Sequence, residues 1–593
     1  MKKATRLLAA VLALLFVLSI AAACGPNQGS PGAGAPAAVT GSDVPNMNAT
    51  GYPIAQSPVT VSALMGLDSQ DGYWEDLQLW NWLAELTNVN FKIEYLIDQT
   101  GDQYRDRVGL LFASNNYPEV LLRASGGIRW QEEEFYAREG FFIDTRPLQQ
   151  YMPNIQEFYQ EFPHIKAGQT ASDGGMYGFP FTYQGGVGGN PINCYMEAYW
   201  ADRIGYTDDM PYTVDEYRDF LYAIKAVIDS GDYFRPDPNM IAIGWREPFG
   251  QGPHINLTMY GYTGTITYAD GPWALPDNKN VQFMVEHPGY RKTLELWRDL
   301  YRDGVLDVEV FTMEASTANA RKNNCEYAVF NGSSSSLIPE LIRSNPAINL
   351  DYANADHSKG FGCRSFRPLT SEYSNKARLP FENIGTVNQL MITDKCKNPE
   401  IVARWADIFF NLNYDITDNS VPNPMMFYKG WYGEHWEYVN LDRTAWSFLP
   451  TPDGQTTSSG DLIDWMYSRN YILMGWSLPC GVYIDGSMQV GGAPMFVAKQ
   501  YTNIDYQYPY VSAETEFPRL ARRTPEETES IATKEAELNE YLRQQWALFM
   551  SGQKDLNDAN WDDFKANCYK LGVDDILEVR QSVAERWAKA MGN

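Results

Sequence analysis

Apolar and polar positions between residues 59 and 122 follow a pattern that predicts alternating strands and helices. Val59–Met65 is predicted to be the first strand, and Phe91–Tyr95 alternates apolar with charged side chains at the period of a strand. Glu75–Thr87 and Tyr104–Phe112 carry apolar residues at helical spacing, and Pro118–Leu122 is a short, largely apolar run. This order of strands and helices predicts a parallel α/β sheet.

Two loops follow predicted strands at the edge where parallel sheets bind their ligands, beyond the carboxyl ends of the strands. Asp68–Trp74 follows the first strand, and Arg123–Trp130 follows the third. Both loops place aromatic side chains beside polar ones. We therefore expect this edge to contribute to a binding site.

The stretch Gly178–Trp200 separates this α/β unit from the rest of the chain. It begins as a short strand, Gly178–Tyr183, passes through a glycine-rich loop, Gly185–Gly189, and ends in an aromatic segment that runs into a helix. Glycine-rich backbone absorbs large dihedral changes and lets a ligand approach closely. We interpret this stretch as a hinge and as the floor of a cleft between two lobes.

The chain beyond residue 200 repeats the alternation and predicts a second α/β lobe. Thr213 and Glu216 form a capping box for a helix that extends to Ile228. Asn398 is expected to cap a helix with Pro399 at its first position. Further strands and helices are predicted at Ile241–Trp245, Tyr290–Arg302, Glu326–Phe330 and Ile384–Ile392, the last of these as a second crossover.

The carboxyl-terminal part of the chain is predicted to be helical. Thr524 and Glu527 form a second capping box, with Pro525 in the first helical turn. Two shorter helices are expected after Asn557 and Gly572. The predicted fold class is therefore α/β, with two lobes, hinge crossovers and a helical carboxyl-terminal part.

Composition narrows the classes of ligand. The 593 residues carry a formal net charge of −27, which argues against nucleic-acid partners and against docking on anionic lipid through a basic patch. The chain has 17 tryptophans, 38 tyrosines and 27 phenylalanines. Most of them belong to the core, and the excess favours a cleft that stacks on a flat, partly apolar ligand.

The amino terminus predicts export. Basic Lys2, Lys3 and Arg6 precede an apolar stretch at 7–20, and small residues lead to Cys24, so residues 1–23 are expected to be a signal peptide. The alanines before Cys24 resemble a bacterial lipobox, which implies lipidation of this cysteine. The alternative is an ordinary signal peptide with a chance cysteine. Residues 24–57 are rich in small and turn-forming residues and predict a flexible tether.

Several motifs together resemble a known family. They are Tyr117–Val120, Gly175–Phe181, Tyr199–Gly205, Gly430–Asn440 and Leu538–Trp587. The resemblance rests on their order and spacing and extends over nearly the whole mature chain. The sequence resembles the extracellular solute-binding lipoproteins of the large oligosaccharide-binding type, which are substrate-binding components of ABC importers (family 1, with a maltose-binding-like fold).

The resemblance implies a periplasmic-binding-protein-like fold whose two lobes close around a ligand. Lobe 1 would take residues 58–182 with 390–480, and lobe 2 would take 183–389 with 481–593. It also implies a monomer, anchored by its lipid on the outer face of the cell membrane, that delivers an oligosaccharide to a permease pair. Some relatives carry a calcium loop, but Asp229–Asn239 lacks the alternating ligands and terminal glutamate of such a loop, so no metal and no cofactor is expected.

A sugar presents apolar faces and a ring of hydroxyl groups, so its cleft is expected to combine aromatic platforms with bidentate polar groups. The candidate platforms in loops or at crossovers are Trp74, Trp130, Tyr183, Trp245 and Trp431. For each of them core packing is the alternative, and we expect three of the five to touch the ligand. The polar candidates are Asp68, Asn193, Arg246 and Glu434. The tryptophans in helical patterns are assigned to the core: Trp80, Trp82, Trp297, Trp405 and Trp587.

Nothing in the sequence predicts an enzyme. The five histidines are scattered without metal-binding spacing, and no nucleophile or phosphate-binding motif is present. The six cysteines after Cys24 form no C-x-x-C pair, and the sequence leaves open whether any of them form disulfides. Two alternatives to an oligosaccharide receptor remain open: a surface-anchored glycan-degrading enzyme, and the same scaffold binding a peptide.

Overall fold

The computed structural model contains two large sheets, of six and four strands, smaller sheets of two or three strands, and a carboxyl-terminal group of helices. The residues that it describes are 40–67, 73–97, 102–124, 128, 130–185, 193–206, 210–233, 238–244, 273–275, 279–314, 317, 320–321, 324, 326–332, 363–373, 379–380, 384–424, 426–438, 443, 445–449, 481–484, 488–491, 511–512, 518 and 520–592.

The strands in this part of the chain are β1 Thr40–Gly41, β2 Asn48–Thr50, β3 Val59–Leu67, β4 Val89–Ile97, β5 Val120–Leu122, β6 Phe179–Gly185, β7 Asn193–Glu197, β8 Ile241–Gly244, β9 Trp273–Ala274, β10 Gln282–Phe283, β11 Tyr327–Gly332, β12 Cys363–Ser365, β13 Leu379–Pro380, β14 Ile384–Ile392, β15 Trp436–Tyr438, β16 Ala445–Phe448, β17 Gly481–Ile484, β18 Met488–Gly491 and β19 Val511–Ser512. The α-helices are α1 Gln78–Thr87, α2 Asp102–Ala113, α3 Trp130–Arg138, α4 Pro153–Glu161, α5 Pro163–Gln169, α6 Ala198–Arg203, α7 Val214–Ser230, α8 Pro288–Arg302, α9 Pro399–Asp407, α10 Met426–Lys429, α11 Pro525–Met550, α12 Asp558–Lys570 and α13 Val573–Ala590.

The first sheet has the order β17–β6–β14–β5–β3–β4. Strands β3, β4 and β5 are parallel, with Val59 opposite Val89 and Ala63 opposite Val120, which confirms the predicted parallel unit. Strand β14 runs antiparallel to both β5 and β6, and β17 runs parallel to β6. The parallel unit is therefore completed by strands that come from much later in the chain.

Alternate residues of the first sheet enter two different cores, because side chains of a strand point to opposite faces. Val61, Ala63 and Met65 of β3 enter one core, whereas Leu64 enters the other. The larger core also contains residues of α1, α4 and α9, and the smaller one contains residues of α2. Because the sheet is covered on both faces, residues 63–66 of β3 are all buried, whereas Thr60 is exposed and Ser62 is half-buried.

The second sheet has the order β12–β7–β11–β8. Strand β11 is parallel to β8, whereas β7 is antiparallel to both of its neighbours. Its core includes buried side chains of α7 and α8 and of the three carboxyl-terminal helices α11–α13. The predicted capping box of α7 is present, since the Thr213 side chain accepts from the Glu216 backbone N–H. The second sheet and the carboxyl-terminal helices thus share one core.

The carboxyl-terminal helices begin where the sequence predicted. Thr524 and Glu527 form the capping box of α11, and the Asn557 side chain accepts from the Asn560 N–H at the start of α12. Helix α11 packs on α8, where the Trp546 indole N–H donates to the Tyr290 hydroxyl at 2.7 Å. These caps hold the helix ends, and apolar packing holds the group on the second core.

Part of the predicted flexible tether is ordered, which corrects the prediction for residues 47–55. Met47, Ile54 and Ala55 are 0–1% exposed and belong to the core of the first sheet. The Arg404 guanidinium of α9 donates to the backbone carbonyls of Asn48 and Gly51. The small and turn-forming residues suggested disorder, but three apolar side chains among them are buried in a core to which residues of α1 and α9 also contribute.

The first sheet also takes in residues that the lobe boundaries had assigned to lobe 2. Strand β14 joins the first sheet from Ile384 onward, and β17, at Gly481–Ile484, lies beside β6. The motifs identified the crossovers but not the sheet in which each crossing strand is hydrogen-bonded. Among the described residues no helix is both long enough and apolar enough to cross a bilayer.

Asp407, at the end of α9, is a buried carboxyl group that is expected to make stability depend on pH. It is 4% exposed, and its oxygens accept from the Ile155 N–H at 2.8 Å and the Asn154 N–H at 3.2 Å at the start of α4. Burial raises its pKa from 3.8 to about 7, and the two backbone donors and Arg404 oppose this shift only in part.

The folded state therefore binds this proton more tightly than the unfolded chain does. The contribution is fully present below pH 3.8 and is lost as the pH rises to about 7. Relative to Asp407→Asn, the wild-type protein should lose stability between about pH 4 and about pH 7, as measured by urea unfolding. A stability difference that stays constant over this range would contradict the shift.

Candidate functional site

The carboxyl ends of β3, β4 and β5 lie at one edge of the first sheet, because the three strands are parallel. Tyr73 lies beyond the end of β3, after residues 68–72, which are not described, and its side chain is 45% exposed. Arg123 follows β5 directly and adopts φ +52°, a left-handed conformation that is uncommon for a residue with a side chain. Such conformations cluster at binding sites, so this edge is the candidate site.

Trp74 is placed in the core, which corrects its selection as a ligand platform. Its side chain is 4% exposed, and its ring is stacked on Trp80 at 3.7 Å between centroids and 6° between planes. The Phe91 ring meets it edge-on at 5.9 Å, and Trp405 lies 6.3 Å away. A sugar has no free face on which to stack. Buried apolar residues recur at every third position, at Trp74, Leu77 and Trp80, and this spacing is the signal in the sequence that could have predicted the burial.

Trp431 and Glu434 lie in a tight turn between α10 and β15. The Trp431 N–H donates to His435 Nδ1 at 3.0 Å, and the Trp436 indole N–H donates to the Gly430 carbonyl at 3.1 Å. Gly430 has φ +80°, and a Cβ there would lie 2.7 Å from the His435 ring. Burial lowers the pKa of His435, which keeps its Nδ1 available as an acceptor. The histidine is therefore a structural part of this turn.

The same turn leaves its two candidate side chains accessible. Trp431 is half-buried, with its ring 6.4 Å from the Trp82 ring in an edge-on arrangement, and Glu434 is exposed. Of the tryptophans assigned to the core, Trp80, Trp297 and Trp405 are buried, whereas Trp82 and Trp587 are only half-buried. Trp431 and Glu434 thus remain candidates, supported by a rigid turn.

The crossing between the two sheets contains two further candidates. Tyr183 of β6 is paired with Ile384 of β14 on one side and with Val482 of β17 on the other. Asn193 opens β7 and is paired with Gly332 of β11 in the second sheet. The chain passes from the first sheet to the second between these two residues, through residues 186–192, which are outside the described residues. Trp130 begins α3.

The remaining candidate residues lie outside the part of the chain that the structure describes. These are Asp68, Trp245 and Arg246, together with the lipidation site Cys24. Among the residues that are described, no group of three or more histidine, cysteine, aspartate or glutamate side chains has the geometry to hold a metal ion.

A buried polar cluster lies beneath the crossing strands, and sequence analysis missed it. We call Glu133, Gln169, Asn388 and Arg522 the Glu133 cluster. Arg522 contacts Glu133 Oε2 at 2.7 Å through Nη1, and its Nε donates to the Gly168 carbonyl at 2.6 Å. The Asn388 amide donates to Glu133 Oε2 at 2.8 Å. Four distant segments of the chain meet here, so local sequence carries no signal for the cluster.

The Glu133 cluster fixes the backbone of the crossing strands. The Gln169 amide donates to the Gly178 carbonyl at 3.1 Å and to Asn388 Oδ1 at 3.2 Å. Asn388 has φ +64° at an irregularity in β14, and a Cβ on Gly178 would lie 2.8 Å from its side chain. Glycine at 178 therefore allows a close approach of β6 to β14. Burial raises the pKa of Glu133, and Arg522 opposes the shift.

The chain is similar in sequence to the fructooligosaccharide ABC transporter substrate-binding protein FusA of Streptococcus pneumoniae. The two are 22% identical over 490 residues, which cover 76% of this chain and 77% of the relative. No family model matches the chain.

Solved structures show the same fold over nearly the whole chain. An HMO-binding, ABC-transporter-associated solute-binding protein from Bifidobacterium longum infantis aligns with a TM-score of 0.68 at 15% identity, covering 90% of this chain and 99% of that one. FusA in complex with kestose aligns with a TM-score of 0.65 at 18% identity, covering 90% and 100%. The resemblance predicted from the sequence motifs is confirmed: the chain has the fold of the solute-binding proteins of ABC transporters.

Proposed function

We propose that this protein is the substrate-binding protein of an ABC importer and that it captures an oligosaccharide between its two sheets. The observation that carries the proposal is the arrangement of β6, β14 and β17, which lie side by side at the point where the chain leaves one sheet for the other. Each sheet has its own core, so the two can move as separate bodies. The named ligands of similar proteins support a sugar: FusA is a fructooligosaccharide-binding protein.

The distribution of aromatic and polar residues is consistent with a sugar ligand. Tyr73 and Trp431 are accessible aromatic side chains, and Glu434 is an exposed carboxylate next to Trp431. The first residue of helix α3 is Trp130. The two sides of the crossing between the sheets carry Tyr183 on β6 and Asn193 on β7. We keep these residues, with Asp68, Trp245 and Arg246, as the proposed site.

Binding is proposed to work by closure and without covalent chemistry. A ligand that contacts both bodies does so only in the closed form, so its binding energy shifts the population toward that form. The permease then recognises the closed receptor, which a diacyl group on Cys24 would hold at the outer face of the cell membrane. Scaffolds of this kind hold their ligand and release it unchanged.

The test is a tryptophan-fluorescence titration of the unlipidated chain, from residue 25 onward, with a panel of oligosaccharides that includes kestose. We expect a saturable change in fluorescence with a micromolar Kd, which corresponds to a binding free energy of about −8 kcal/mol. Chromatography after the titration should show that the sugar is intact. Shortened sugar would overturn the proposal in favour of a glycan-degrading enzyme. Binding of peptides in place of every sugar would overturn the choice of ligand.

Trp245→Ala is expected to weaken binding of the best oligosaccharide about fivefold, since one aromatic contact is worth about 1 kcal/mol. Calorimetry is the suitable measurement, because removing a tryptophan also changes the fluorescence signal. Tyr569→Ala is the control: this tyrosine is 37% exposed on α12, away from every proposed site residue in sequence. Unchanged affinity in Trp245→Ala would remove this residue from the site.

A further inference from the structure

Tyr73 is an aromatic side chain that is both accessible and rigidly placed at the carboxyl edge of the first sheet. It is 45% exposed, while its neighbour Trp74 is 4% exposed. The Tyr73 ring leans on the Tyr95 ring, with 4.8 Å between centroids and 59° between planes. Tyr95 lies on β4 two residues before the strand ends, so the pair sits at the edge where ligands of parallel sheets bind.

The surroundings hold Tyr73 in place before any ligand arrives. The Trp74 N–H donates to the Tyr95 hydroxyl at 2.9 Å, and that hydroxyl donates to Glu75 Oε2 at 2.6 Å. Trp74 is anchored by its stack on Trp80. The residue after Tyr73 and the ring beside it are thus both held by hydrogen bonds, and contact with the Tyr95 ring restricts the Tyr73 ring, which lowers the entropy lost on binding.

We propose that Tyr73 is the stacking platform for one sugar ring of the ligand and that it selects neutral over acidic glycans. This inference rests on the proposed function. The supported ring offers an apolar surface of the kind that packs on the C–H face of a sugar. Glu75 and Asp76 are exposed immediately beside it, and the chain carries a net charge of −27. Two carboxylates next to the platform repel a uronic acid and accept hydrogen bonds from neutral hydroxyl groups.

Two variants of Tyr73 distinguish stacking on an aromatic face from contact with any apolar side chain. Tyr73→Phe keeps the aromatic face, and Tyr73→Leu keeps an apolar side chain without that face. By calorimetry with the tightest-binding neutral oligosaccharide, we expect Tyr73→Leu to bind about tenfold more weakly, whereas Tyr73→Phe stays within about threefold of the wild type. Tyr569→Leu is the matched control, since this tyrosine is also exposed and leans on one aromatic ring, that of Phe283 at 6.3 Å.

A second comparison tests the selection of charge. Kestose and other neutral oligosaccharides are titrated beside an oligouronate of similar length, with the wild-type protein and with a Glu75→Gln, Asp76→Asn double variant. We expect the wild type to bind the neutral oligosaccharides more tightly than the oligouronate. We expect this difference in affinity to be smaller in the double variant. Melting temperatures of the ligand-free variants show whether a change in affinity comes from the fold.

The possible results distinguish a failure of the Tyr73 inference from a failure of the proposed function. Equal affinities of Tyr73→Leu and the wild type for a neutral sugar would overturn the platform and leave the receptor function standing. Binding of the oligouronate alone would overturn the selection of neutral glycans and leave an oligosaccharide receptor. Absence of binding to any oligosaccharide would overturn both.

Discussion

Replacing Arg522 with alanine is expected to destabilise the protein by about 3–5 kcal/mol. The guanidinium is the cation that faces Glu133, whose side chain is 0% exposed, at 2.7 Å. Removing it leaves a buried carboxylate that still accepts a hydrogen bond from the Asn388 amide. It also removes the bond to the Gly168 carbonyl. The loss of an ion pair partner costs far more in the interior than at the surface, since water no longer solvates the remaining charge.

Arg138→Ala is the matched control, because its ion pair joins the same two parts of the chain. Arg138 of α3 pairs with Glu526 of α11 at 3.4 Å, with side-chain exposures of 47% and 72%. We expect this variant to lose about 1 kcal/mol or less in urea unfolding. The Arg522→Ala loss should shrink at lower pH, because Glu133 already has a raised pKa and accepts a proton. Equal losses of unfolding free energy in Arg522→Ala and Arg138→Ala would show that burial of an ion pair does not determine how much it stabilises the protein.

Trp405→Ala is expected to destabilise the protein by about 3–5 kcal/mol, the cost of deleting a large buried aromatic side chain. Trp405 is 1% exposed on α9. Its ring lies 4.6 Å from Phe91, 4.9 Å from Phe409 and 6.0 Å from Trp80. It therefore fills the space between β4, α1 and its own helix, and the packed aromatic rings around it cannot collapse into the cavity without leaving their positions.

Two controls test whether the loss of stability depends on the size of the side chain that is removed and on its burial. Trp405→Phe should lose less than Trp405→Ala, because a smaller cavity remains. Trp82→Ala removes a tryptophan that is only half-buried and should also lose less. Urea unfolding followed by circular dichroism gives the free energy of unfolding for all three variants. A loss in Trp82→Ala as large as that in Trp405→Ala would contradict the packing described here.

The sequence predicts the structure correctly where that structure depends on neighbouring residues in the chain. The strands β3 and β4, the capping boxes at Thr213 and Thr524 and the cap at Asn557 follow from residues within one turn or one strand. Hydrophobic periodicity and cap chemistry act over that distance. The family motifs added the overall fold, because they recorded the order of elements over the whole chain.

The rest depends on contacts between distant residues. The burial of Met47 and Ile54 requires α9, and the Glu133 cluster requires Arg522, which lies hundreds of residues further along the chain. Trp74 was misassigned because a tryptophan in a loop beside a predicted strand end satisfies the pattern of a ligand platform and of a core anchor equally well. The structure separates the two by placing Trp74 against Trp80 and leaving Tyr73 accessible.

The position of β14 in the first sheet determines how the chain can assemble. This strand lies between β5 and β6, yet it is synthesised only after residues 193–332, which supply three strands of the second sheet. While the chain grows from its amino terminus, β5 and β6 each present an unpaired edge until residue 392 is available. The sheet thus closes through a pairing of high contact order, which slows folding. A fragment that ends before residue 384 would keep both edges exposed and would be prone to aggregation.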